Sequence, residues 1–64
     1  GLSYEIPLGE TFNETRNDVE ASISGDSAED LVITEVIKPI IRYRKGGIAL
    51  IARKGVVIVQ SAKP

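Results

Sequence analysis

Residues 40–60 read IIRYRKGGIALIARKGVVIVQ, three five-residue apolar runs separated by the triplets Lys45-Gly46-Gly47 and Arg53-Lys54-Gly55. A fourth run, starting at Val32, precedes them, so runs begin at Val32, Ile40, Ile48 and Val56, eight residues apart. β-Branched residues dominate these runs, and such residues favour strands over helices. The spacing predicts strands at 32–36, 40–44, 48–52 and 56–60.

A three-residue hairpin loop places a left-handed residue, usually Gly, at its third position. Gly47 and Gly55 both fit, which predicts hairpins at 45–47 and 53–55. Ile37-Lys38-Pro39 does not fit, because Pro cannot take a positive φ, so a looser bend is expected there. The result is a small antiparallel meander closing into a barrel or sandwich, with at most one short helix. The alternative is an α+β fold with a helix at 28–38 packed on a hairpin. Ser27 and Asp30 offer that helix a start, but Pro39 would break its continuation.

With three-residue loops, residue 44 faces 48 and residue 52 faces 56. Tyr43, Ala49 and Ile51 then share one face, while Arg42, Arg44, Ile48 and Leu50 share the other. Both faces are largely apolar, and a sheet with one wet face should alternate more cleanly. Both therefore need cover.

Toward the N-terminus, Tyr4-Glu-Ile-Pro-Leu8 alternates as an edge strand marked by Pro7. Thr11-Phe12-Asn13-Glu14 resembles a capping box and could open a short helix. Val19-Glu-Ala-Ser-Ile23 alternates as a further strand. Leu2, Tyr4, Ile6, Leu8, Phe12, Val19 and Ile23 are available to cover one sheet face. Little is left for the other, and an exposed apolar patch of that size marks an interface. The expected contact residues are Ile40, Ile48, Leu50, Val56 and Ile58, with a second copy or a parent protein as partner.

The chain has 64 residues, no Cys and no His. One small domain spanning 1–64 is expected, either complete or a fragment of a larger protein. Disulfides, thiolate zinc sites and His-based general bases are excluded by composition. A hydrophobic content of 42% argues against a disordered tail. A chain this short buries only about 60% of its unfolded surface, so association is the remaining source of stability. No segment reads as a signal peptide or a membrane span, which favours a cytoplasmic location. Asn13-Glu14-Thr15 matches a glycosylation acceptor, a pattern common by chance.

Net charge is −1, but it is sharply divided. Residues 1–35 hold nine acids against Arg16 alone, giving −8, while residues 36–64 hold seven bases and no acid, giving +7. The preferred reading is that the halves pair with each other or with a neighbour's opposite half. The other is that Arg42, Arg44 and Lys45 bind nucleic acid, with Tyr43 stacking on a base. Alternation weakens that second reading by turning Tyr43 inward as a core residue, away from Arg42 and Arg44.

Chemistry is sparse. The serines lack an activating motif, and Lys45-Gly46-Gly47 lacks the spacing of a phosphate loop. Asp26, Glu29 and Asp30 do not match a calcium loop and read as a solvated acidic turn, capping a helix or meeting Arg53 and Lys54. No enzyme, cofactor or metal is expected. The sequence predicts a non-catalytic binding and self-association module forming a homo-oligomer. The alternatives are a nucleic-acid-binding small barrel and a structural subunit of a larger assembly.

Overall fold

A computed structural model describes residues 1–62. It is built from strands, with no helix among the described residues. The strands are β1 (Leu2–Glu5), β2 (Val19–Ile23), β3 (Leu31–Lys38), β4 (Ile40–Lys45), β5 (Ile48–Arg53) and β6 (Gly55–Ser61). All four strands expected between 32 and 60 are present, each slightly longer than its apolar run. Neither expected helix forms. At 28–38 the β-branched run wins as β3. At Thr11–Glu14 the Asn13 side chain instead accepts from the Thr15 N–H (3.0 Å) and the Thr15 hydroxyl, closing a local turn.

The connectivity is not a meander. β5 and β6 do not pair, and the strands form two separate sheets ordered β1-β4-β5 and β2-β6-β3. β4 pairs with β5, and β3 pairs with β6, both antiparallel. The chain from Leu31 to Ser61 is therefore one long hairpin, bent where Pro39 separates β3 from β4 and Lys54 separates β5 from β6. Pro39 has no N–H to give a ladder, so the ribbon divides there. Two arms of about fifteen residues reach roughly 45–50 Å at strand rise, and the molecule measures 44 × 20 × 14 Å. No closed barrel is formed among the described residues.

The turn of this hairpin is one residue shorter than expected. Gly46 and Gly47 both have positive φ (60° and 81°), and Lys45 pairs directly with Ile48. That is the two-residue turn whose twist matches the strands. A one-residue slip moves every side chain of a strand to the other face. Leu50 consequently lies opposite Tyr43, and Ile51 opposite Arg42.

Three bulges further break strict alternation, at Thr34 and Ile37 in β3 and at Ala52 in β5. The first explains an anomaly in the sequence. Period two would place Glu35 on the face of Ile33. The extra residue at Thr34 leaves Glu35 exposed and packs Val36 against the core instead.

The core lies on one face of the β2-β6-β3 sheet. Val19, Leu31, Ile33, Ile40, Val57 and Val59 are buried, with Phe12, Ala21 and Val36 packed around them. β2 joins β6 in parallel, Val19 beside Gly55 through Ile23 beside Val59. Gly9–Phe12 covers part of the β3 edge: Gly9 donates to the Ile33 carbonyl, Ile33 to that of Glu10, and Phe12 to that of Leu31. The rest of the N-terminal segment does not give the expected cover. Val19 and Phe12 pack inward, but Leu2, Tyr4, Ile6, Leu8 and Ile23 remain exposed. The strand expected at 4–8 runs over Leu2–Glu5 instead.

Gly55 is not a turn residue, since it is absent from the positive-φ set. It is buried at the bend, where an added Cβ would lie 2.9 Å from Ile40 Cγ1 and 3.1 Å from the Lys38 carbonyl oxygen. Glycine here permits close approach of the two arms. Gly55→Ala is expected to cost about 1–3 kcal/mol by overpacking, read as a lower urea midpoint at unchanged slope. An unchanged midpoint would show that the bend gives way easily.

Candidate association surface

Sheet β1-β4-β5 projects beyond the core, and its pairing fixes what each face carries. Leu2 lies opposite Tyr43, which lies opposite Leu50; Tyr4 lies opposite Ile41; Lys45 lies opposite Ile48. Directly opposed residues share a face. One face thus holds Leu2, Tyr4, Ile41, Tyr43, Ile48 and Leu50 together, with Lys45 and, opposite Ile41, Arg53 at its margins. Tyr4 is 69% exposed, Ile48 63%, Leu2 60% and Leu50 56%. Tyr43, expected in the core, is also exposed, on the same face as Leu50.

The reverse face of the same sheet mixes Ser3, Glu5, Arg42 and Arg44 with Ile40, Ala49 and Ile51, and is tied to the rest of the molecule by charge. Arg42 Nε donates to Glu5 Oε2 at 2.6 Å, and its terminal nitrogen donates to Asp18 Oδ2 at 2.9 Å. Asp18 also accepts from Arg16 (2.6 Å from Nε to Oδ1), and Arg16 reaches Glu10 at 3.1 Å. The five groups form an alternating ladder Glu10–Arg16–Asp18–Arg42–Glu5. It links β4 and β1 of the projecting sheet to the segment entering β2 of the core sheet. Asp18 is at its centre and largely buried. Hydrogen bonding from Arg16 holds its carboxyl below the usual carboxylate range, against the opposing effect of burial.

Of the expected nucleic-acid residues, Arg42 and Arg44 share the reverse face of β4, and Lys45 lies on the other. Arg42 is engaged with Glu5 and Asp18. Arg44 and Lys45 are exposed near the hairpin turn, but successive strand residues point to opposite faces. The expected contact residues also divide. Ile48 and Leu50 lie on the open face, Val56 and Ile58 are half-buried in the core sheet, and Ile40 is fully buried inside the chain. Sequence reasoning omitted Leu2, Tyr4 and Tyr43 from this surface. Their shared face depends on the β1–β4 register, which no local pattern encodes.

β5 is an edge strand, and every one of its residues is exposed. The direction of its free backbone groups can be fixed. Gly1 donates to the Arg44 carbonyl (3.1 Å) and the Arg44 N–H donates to Gly1 (3.0 Å), so Arg44 turns its backbone groups toward β1. Its pair with Ala49 is therefore not hydrogen-bonded, and Ala49 directs its own N–H and C=O to the open side. Two residues on, Ile51 does the same.

At the opposite end of the ribbon an open cleft of about 560 Å³ is lined by Phe12, Ile23, Leu31 and Val32, with Asn13, Glu14 and Asp30. The acidic turn at Asp26–Asp30 is at this end, beside the close of β6. Arg53 and Lys54 sit at the central bend, so the expected meeting of these groups does not occur. Among the described residues no group of three or more His, Cys, Asp or Glu side chains is arranged to hold a metal ion. No helix there is long and apolar enough to cross a membrane. Compared with protein-family models, curated proteins and solved structures, the chain gives no significant match.

Proposed function

We propose that this chain is a non-catalytic self-association module whose copies meet through the apolar face of the β1-β4-β5 sheet. The observation that carries this reading is the set Leu2, Tyr4, Tyr43, Ile48 and Leu50, exposed together on one sheet face. Contiguous apolar surface of this extent is uncommon on monomers.

The whole-molecule dimensions support the same reading. A compact monomer of 6.9 kDa exposes about 4000 Å², whereas this chain exposes 4640 Å². Its radius of gyration is 12.8 Å, against about 11 Å for a compact domain of this length. The excess area, about 600 Å², approaches the ~800 Å² that each partner contributes to a standard interface. With so few buried side chains, the chain gains most by covering this face with its own equivalent.

Tyr4→Glu tests this reading. Tyr4 contributes little to the monomer's interior, so the charge acts on the contact and leaves the fold intact. The variant is expected to elute as a smaller species than the unsubstituted chain in size exclusion, with an unchanged circular dichroism spectrum. Elution of the variant at the same larger volume-equivalent as the unsubstituted chain would remove the face from the interface.

A further inference from the structure

We infer that β5 pairs antiparallel with β5 of a second copy about a two-fold axis at Leu50, joining two three-stranded sheets into one of six strands. This rests on the self-association proposed above and adds a second, distinct contact. The edge itself is the first observation. β5 is an edge strand exposed along its whole length, and Ile48–Ala52 contains neither a charge nor a proline. Soluble proteins block such edges with charges, prolines, bulges or covering segments. The β3 edge is covered at Leu31–Ile33 by Gly9–Phe12 and bulged and charged beyond it, β2 carries Glu20, and β1 is short and followed by Pro7. β5 has only the bulge at Ala52, near its end.

The direction and register follow from the backbone. A parallel arrangement would place Arg53 beside the partner's Arg53. An antiparallel one sends the two arginines to opposite ends. Ala49 and Ile51 present their N–H and C=O groups outward, so each Ala49 exchanges two hydrogen bonds with the partner's Ile51. This register leaves the irregular residues Ala52 and Arg53 outside the central ladder. Centring on Ile51 would require Arg53 to pair. Leu50 then sits opposite itself in a non-hydrogen-bonded pair, on the apolar face. A second copy is the occupant favoured, because one edge supplies both partners and the contact closes after two chains. The joined sheet also makes the two apolar faces continuous, doubling the surface available for face-to-face packing.

The chain has no Cys, so a single introduced thiol reports cleanly. A non-hydrogen-bonded antiparallel pair brings Cα atoms to about 4.5 Å, within the ~4.4–6.8 Å a disulfide spans. Leu50→Cys is expected to form a covalent dimer on mild oxidation. Ile51→Cys, displaced two residues from its own equivalent, is expected to remain monomeric on denaturing gels. Adding Ala49→Pro, which removes an outward N–H without touching the β4 ladder, is expected to suppress the Leu50→Cys dimer.

Hydrogen exchange on the unsubstituted chain gives an independent readout. The Ala49 and Ile51 amides, which have no partner among the described residues, should exchange at least ~10-fold more slowly at high protein concentration than at low. Equal cross-linking at residues 50 and 51, or unprotected Ala49 and Ile51 amides, would overturn the edge pairing. If Tyr4→Glu still dissociates the oligomer in that case, the face contact stands and only the edge contact fails.

Discussion

Ile40→Ala is expected to leave the chain largely unfolded at 25 °C. Ile40 is fully buried and occupies the bend where the two sheets meet, against Gly55. Removing a buried Ile side chain to Ala costs about 2–5 kcal/mol. A core in a domain this small seldom supplies more than about 3–5 kcal/mol, so one substitution removes most of the margin. The bend also predicts a specific coupling. Gly55→Ala alone drives its Cβ against Ile40 Cγ1, and Ile40→Ala removes that atom. The double variant should therefore be less destabilised than the sum of the singles, by about 1 kcal/mol. Additivity in urea titrations would show that Gly55 and Ile40 do not constrain each other.

The second large effect lies at the ion ladder. Asp18→Ala removes the acceptor shared by Arg16 and Arg42 and leaves two partly buried guanidinium groups without it. Hydrogen bonds to charged groups contribute about 1.5–3 kcal/mol each in favourable geometry, and partial exposure of Arg42 reduces its share. A net loss of about 2–3 kcal/mol is expected. The pH dependence carries a sign. Because the folded carboxyl titrates below its unfolded value, its contribution is complete above the ordinary Asp range and disappears as pH falls through the depressed folded value. Asp18→Ala should thus differ most from the unsubstituted chain near neutral pH, and the two should converge in acid. A gap that widens on acidification would contradict the ladder's role.

The strands were legible in the sequence because β-branched runs and glycine spacing are local signals. Val19–Ile23 is found with the expected bounds, and the Gly46-Gly47 turn is where it was expected. What failed was nonlocal or one residue wide. Gly55 in a glycine-ended triplet looked like a second turn, yet its glycine serves close approach at the bend. Lys45 counts as loop or strand with equal local plausibility, and that one residue decides whether Leu50 joins Tyr43 or Arg42. The bulges at Thr34, Ile37 and Ala52 have no local signature, since each arises from fitting one arm to the other. The parallel pairing of β2 with β6 spans most of the chain.

The charge division is met in part by ion pairing. Arg42 of the basic half meets Glu5 and Asp18 of the acidic half, while Arg16 pairs with Glu10 and Asp18 inside the acidic half. Which bases would pair was not readable, because the outcome depends on Arg42 and Glu5 sharing a face of the β1–β4 pair. The other basic groups near the turn, Arg44 and Lys45, form no ion pair within the described residues. That apolar side chains would stay exposed was also readable from the apolar content of both faces. The particular patch required the observed register.

Sedimentation equilibrium of the unsubstituted chain at micromolar concentration tests self-association most directly. The exposed apolar face and the open β5 edge predict a mass that is a whole multiple of 6.9 kDa and falls on dilution. A mass of 6.9 kDa that stays constant up to the highest concentration reached would contradict self-association through either contact.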